Sequence, residues 1–160
     1  MADSMPASTS FLFRTDQGRI DRKTWLHGGL RLGAILAVLT AVGLLLVPYM
    51  RHDLAKTPLL DWHVIAAYVY LTLYIFALIL IAISFYNLSA KRWRDRAKPA
   101  AFAGLVPFFA LLAGAAHWLY PQMDGEVPGW SVAAIDIAFV GLLIWTIIEL
   151  GVLPSKPARD

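Results

Sequence analysis

The sequence predicts an all-α, polytopic membrane protein with four transmembrane helices and both termini on the inner side. Three observations carry that expectation. The 160 residues are 59% hydrophobic and only 16% charged, with a mean hydropathy of +0.61. A soluble domain is about 45–50% apolar and about 25% charged. The apolar residues gather into four runs, each long enough to cross a bilayer, which takes roughly 20 residues. The cations are unevenly placed. Residues 87–98, NLSAKRWRDRAK, hold Lys91, Arg92, Arg94, Arg96 and Lys98 against the single anion Asp95, a local +4 in a chain whose total is only +3.

The first 21 residues form an inner, partly interfacial segment. Residues 1–10 are small and polar, read as disordered, and no basic stretch precedes an apolar core as in a secretory signal. Phe11, Leu12 and Phe13 before a charged turn at Asp16 and Gly18 suit a segment lying on the membrane surface. Asp21 is placed to cap the first span, because its carboxylate can accept from the free N–H groups of the next turn.

A single four-helix domain over residues 22–153 follows. Helix 22–47 stops before Pro48, and its Trp25 sits at headgroup level. Gly29, Gly33, Ala37 and Ala41 recur every fourth residue and predict a smooth packing groove, for a helix of this chain or of a second copy. Thr24, His27 and Arg31 mark a polar face, with Arg31 reaching headgroups or an acid on another helix. Helix 62–86 opens on Trp62 after Asp61 and is rich in Tyr and Phe, read as packing and interfacial aromatics. The basic stretch then forms a short cytoplasmic loop ended by Pro99. Helices 100–120 and 130–153 enclose an acidic loop, and residues 154–160 form a tail. With the N-terminus inside, nearly all cations fall on one side and only Arg51 and Lys56 on the other. That bias sets an N-in, C-in topology.

Polar groups within the spans are the candidate functional residues, because they cost free energy there unless paired. They are Arg31, His117, Asp136 and Glu149. Asp136 and Glu149 are 13 residues apart on one helix, about 20 Å along its axis and on different faces, so they do not form a carboxylate pair. His117 meets Asp136 if the last two helices pack antiparallel. Glu149 lies at the depth of Arg31 and near the basic loop. A helical tether and a proton or ion pathway are the two readings. Arg19, Arg22, Lys91, Arg92, Arg94, Asp95 and Arg96 are the candidate contacts for an anionic lipid headgroup or a membrane or cytosolic protein. Asp95 follows Lys91 by four and Arg92 by three, spacings that organise the loop as a short helical extension.

No metal or other cofactor is expected: the four histidines lack HExxH or any paired spacing, and no GxSxG elbow or phosphate-binding glycine loop is present. Without Cys there is no disulfide or thiolate chemistry. The pI near 9.3 follows from basic loops of a membrane protein, not from a nucleic-acid partner.

The stretches GRIDRKTW (18–25), NLSAKRWRDR (87–96) and ELGVLP (149–154) together resemble a family of small bacterial inner-membrane proteins, the YhaH/YhaI-like domain of unknown function 805. The resemblance runs from about Phe11 to Pro154. It implies a multi-pass protein of the bacterial inner membrane and no established reaction. Family members carry Arg-Leu-His-Asp in the basic loop, whereas Arg92, Trp93, Arg94 and Asp95 stand here. The function expected first is a non-enzymatic accessory, scaffold or regulatory component, leaning away from an enzyme. A small oligomeric transporter or channel using His117, Asp136 and Glu149 is the alternative, and a lipid-acting enzyme ranks lower.

Overall fold

The computed structural model describes residues 8–50, 61–123 and 127–155. The expectations for Arg51, Lys56, the acids of the 121–129 loop and the tail beyond Ser155 lie outside those residues. Among the described residues every regular element is helical. Helix α1 covers Thr9–Phe13, α2 Arg22–Leu46, α3 Trp62–Asp95, α4 Leu105–Leu119 and α5 Gly129–Thr146. Short 3-10 turns continue α2, precede α4 and follow it. A π-helical turn, Ile147–Val152, continues α5. Four stretches are long and apolar enough to cross a membrane: Arg22–Met50, Trp62–Asp95, Ala100–Leu119 and Gly129–Val152. Their outward side chains are those a lipid solvent favours. Leu45, Leu80 and Ile137 are each at least 65% exposed.

The main departure from expectation is the second span. It does not end near Tyr86 but runs 34 residues to Asp95, about 51 Å at 1.5 Å per residue against a hydrocarbon core of about 30 Å. Residues 87–95 therefore belong to a helix and not to a loop. The sequence allows this: Ala, Lys, Arg and Leu favour helix and no Gly or Pro intervenes before Pro99. The helix closes with the Lys98 amide donating to the Trp93 carbonyl and the Ala97 amide to that of Arg94. This paired closure usually places Gly at the residue that takes left-handed backbone. Here Ala97 takes it, with φ +55°. Ala97→Gly is expected to raise stability by about 1 kcal/mol, read as a higher midpoint of thermal unfolding in detergent.

The chain divides into two compact units. One contains residues 1–29 and 83–160, the other Leu30–Ala82. In the second unit, the far part of α2 and the first part of α3 are joined by polar side chains. The Thr40 and Tyr74 hydroxyls are 2.9 Å apart, and the Tyr70 hydroxyl donates to the Leu39 carbonyl. In the first unit, α4 and α5 pack side by side, and a buried core forms where the described terminal segments meet the end of α3. Leu12, Ile20, Trp25, Leu88, Ala90, Trp93, Ala103 and Leu150 make this core. This core gathers the start of α2, the end of α3 and the end of the last span.

The predicted small-residue groove is not the seam of that core. A Cβ on Gly29 or Gly33 would meet nothing within 4 Å, and Ala37 and Ala41 are exposed. The close approach is one residue earlier: a Cβ on Gly28 would stand 2.8 Å from a methyl of the buried Leu88. Helix phase sets this, because residues 28 and 29 point about 100° apart.

Candidate functional site

The end of α3 lies between two partners and uses opposite faces for them. Asn87, Lys91 and Arg94 follow one another by four and three residues and share a face. Ser89, Arg92 and Arg96 share the other. The first face holds the segment containing α1. The Asn87 amide donates to the Phe13 carbonyl at 2.8 Å, and the Lys91 ammonium donates to the carbonyls of Leu12, at 3.0 Å, and Thr15. That ammonium also lies 4.9 Å from the centre of the Phe11 ring. Arg94 donates to the Asp16 carbonyl and, at 2.8 Å, to its carboxylate. The carbonyls at the end of a helix have no intrahelical partner and carry partial negative charge, which is why cations suit them.

The second face holds the end of the last span. Arg92 Nε donates to the Leu150 carbonyl at 2.9 Å and Nη2 to that of Leu153 at 2.7 Å. Nη1 reaches Asp95 and the Ser155 hydroxyl. The planar fork of an arginine can satisfy several such acceptors at once. Arg96 donates to Glu149 through Nε and Nη2 and to the Pro154 carbonyl through Nη1. Lys98 completes the site, 2.7 Å from Glu149 and over the faces of Trp93 and Trp145. The π-turn matters here. Its Leu153 amide reaches back five residues to Ile148, and the Leu150 carbonyl is taken by Arg92. Trp25 binds the same helix end, its indole N–H donating to Ser89 at 3.2 Å.

Burial settles what these cations do. Lys91 and Arg92 are fully buried and Arg96 nearly so. The expectation that they lie solvated on lipid or offer a docking surface is therefore corrected. They are interior donors, because the termini fold over them. Arg94 keeps about a third of its side chain exposed and Asp95 less, so neither is a free surface charge. Arg92 and Asp95 do pair, as their spacing implied. Of the two neighbourhoods expected for Glu149, Arg31 and the basic stretch, the second supplies its partners. Glu149 is held by Arg96 and Lys98, while Arg31 is exposed. Arg19 and Arg22 are exposed too, although Arg22 makes a long 3.5 Å hydrogen bond to the Val152 carbonyl. His117 does meet Asp136, at 2.9 Å, joining α4 to α5.

Outside the spans, Asp16, Asp21 and Asp61 sit below the ordinary value of 3.8, Asp61 through the His63 backbone amide. The hydrogen bond from Arg94 lowers Asp16, and the hydrogen bond from Thr24 lowers Asp21 at the start of α2. A carboxylate lowered by folding adds stability that is complete above 3.8 and is lost as pH falls through its folded value. The tie between Asp16 and Arg94 is therefore expected to contribute in full down to about pH 3.8 and to weaken only below it. Pepsin cleavage around Phe11–Phe13 should begin only below that pH; equal cleavage at pH 5 would contradict it.

Sequence reasoning missed Asn87, Ser89, Lys98, Asp16 and Ser155. The spacings of Asn87, Lys91 and Arg94 and of Arg92 and Arg96 were visible, but have meaning only once the stretch is helical. Chemically, the donors of this site end on carbonyls and carboxylates, and the Ser155 hydroxyl donates to Asp95. Among the described residues no three His, Cys, Asp or Glu side chains are grouped to hold a metal ion. No protein-family model matches the chain, and neither does any curated protein or solved structure.

Proposed function

We propose that this chain is a non-enzymatic, multi-pass component of the bacterial cytoplasmic membrane, with both termini in the cytoplasm, acting as an accessory, scaffold or regulatory subunit. One observation carries the reading. Three stretches far apart in sequence meet at one end of the spans: buried Arg92 and Arg96 tie NLSAKRWRDR to ELGVLP, and the Trp25 indole ties GRIDRKTW to Ser89. The result is an ordered platform whose donors and acceptors satisfy one another, which suits binding. The one-sided cations of the whole sequence support the orientation. The chain has no Cys, so single cysteines at Arg19 and Trp130 report sidedness without background. Labelling of Arg19→Cys from the periplasm would remove the orientation.

The test of function is co-purification of the tagged full chain in mild detergent. A protein partner that stays with the chain through purification is expected. A monomer that retains no partner, and whose form with the charges of residues 91–96 reversed behaves identically in cells, contradicts the reading. The contact of His117 with Asp136 keeps a second reading, a small oligomeric channel or transporter. Asp136→Asn should abolish flux into liposomes if that reading holds; no flux in the parent protein removes it.

A further inference from the structure

Separating buried from exposed cations locates a second surface. Arg14, Arg19, Arg22 and Lys23 are all exposed. Among the described residues none of them has a carboxylate within salt-bridge distance. The two acids in the same segment are already engaged, Asp16 by Arg94 and Asp21 by the Thr24 amide. The segment is also fixed in place. Leu12 and Ile20 are buried beneath it, and Lys91 and Arg94 grip its backbone. Four unneutralised cations are thus held on an ordered piece of chain where the Arg22–Met50 span begins. The start of a span is the level of the lipid headgroups.

We infer that Arg14, Arg19, Arg22 and Lys23 form a binding surface for the phosphate headgroups of anionic phospholipids. The complementarity is of charge and of position. Guanidinium groups present paired donors to phosphate oxygens. A basic segment at the mouth of a span is attracted to an anionic leaflet and falls off within a Debye length of it. The helix N-terminus itself is not the receptor, since Asp21 occupies it. The stretch 87–98 contributes little, because Lys91, Arg92 and Arg96 are buried. This inference rests on the chain being a membrane component. It does not need a protein partner, so a failed co-purification leaves it standing.

The test uses the full chain in mild detergent and its melting temperature with phosphatidylglycerol, phosphatidylcholine or inorganic phosphate added. Phosphatidylglycerol should raise the melting temperature of the parent protein and of Arg31→Gln. It should leave the R19Q/R22Q/K23Q variant unshifted. An undiminished shift in that variant overturns the inference, and so does an equal shift from phosphatidylcholine or from inorganic phosphate alone. Should the variant not fold, native mass spectrometry of lipids retained by the parent protein decides. Enrichment of phosphatidylglycerol over its share in the source membrane supports the surface; retention in proportion to that share refutes it.

Discussion

Arg92→Ala is expected to destabilise the protein by about 3–5 kcal/mol, the range for removing one partner of a buried charged network. The guanidinium is fully buried and serves the Leu150 and Leu153 carbonyls, the Ser155 hydroxyl and Asp95. Its loss leaves those acceptors facing a cavity. Buried acceptors without donors each cost about 1–3 kcal/mol, and the effects are not additive because the groups act together. Arg92→Lys should recover only a minor part. One ammonium cannot reach acceptors that Nε, Nη1 and Nη2 address from three directions. Equilibrium unfolding in mixed micelles measures both. A change within 0.5 kcal/mol for Arg92→Ala, about what an exposed surface position gives, would remove the clamp from the account.

Glu149→Gln is the second large effect. The substitution keeps the shape of the side chain and removes the charge that faces Arg96 and Lys98. Arg96 is itself almost fully buried, so it becomes an uncompensated interior cation. A loss of about 3–5 kcal/mol follows on the same grounds. The pair also predicts strong coupling. Replacing both Arg96 and Glu149 by Met should cost much less than Glu149→Gln alone, since apolar residues of similar volume often replace a buried ion pair without loss. A double variant as unstable as the sum of its single changes would contradict the pairing. Tertiary packing and not topology is then what these charges serve, since a charge kept only to orient the chain would tolerate either change.

Much of the fold was legible in the sequence because membrane spans announce themselves by length and apolarity. The four stretches appear close to where hydropathy placed them, and Gly18 turns the chain as expected, with φ +95°. The contact between His117 and Asp136 was legible as well, since two polar groups near the same end of adjacent antiparallel helices have few other partners. The basic stretch was misjudged for a physical reason. Charge density is a strong signal of solvent exposure, and burial of cations is visible only when the acceptors are known. Those acceptors are mostly backbone carbonyls of Leu12, Thr15, Leu150, Leu153 and Pro154, and every residue type has a carbonyl. The glycines show a similar limit: four small residues at regular spacing formed the better pattern, but Gly28 makes the contact.

The central claim is that residues 87–98 are an interior clamp and not a solvated basic loop. Amine-reactive footprinting of the unmodified protein tests it without any substitution, by comparing Lys23 with Lys91. Lys23 is exposed, whereas the Lys91 ammonium is buried and donates to the Leu12 and Thr15 carbonyls. Mass spectrometry should find Lys23 modified rapidly and Lys91 unmodified until the protein unfolds. Modification of Lys91 at the rate of Lys23 in the folded protein would contradict the clamp.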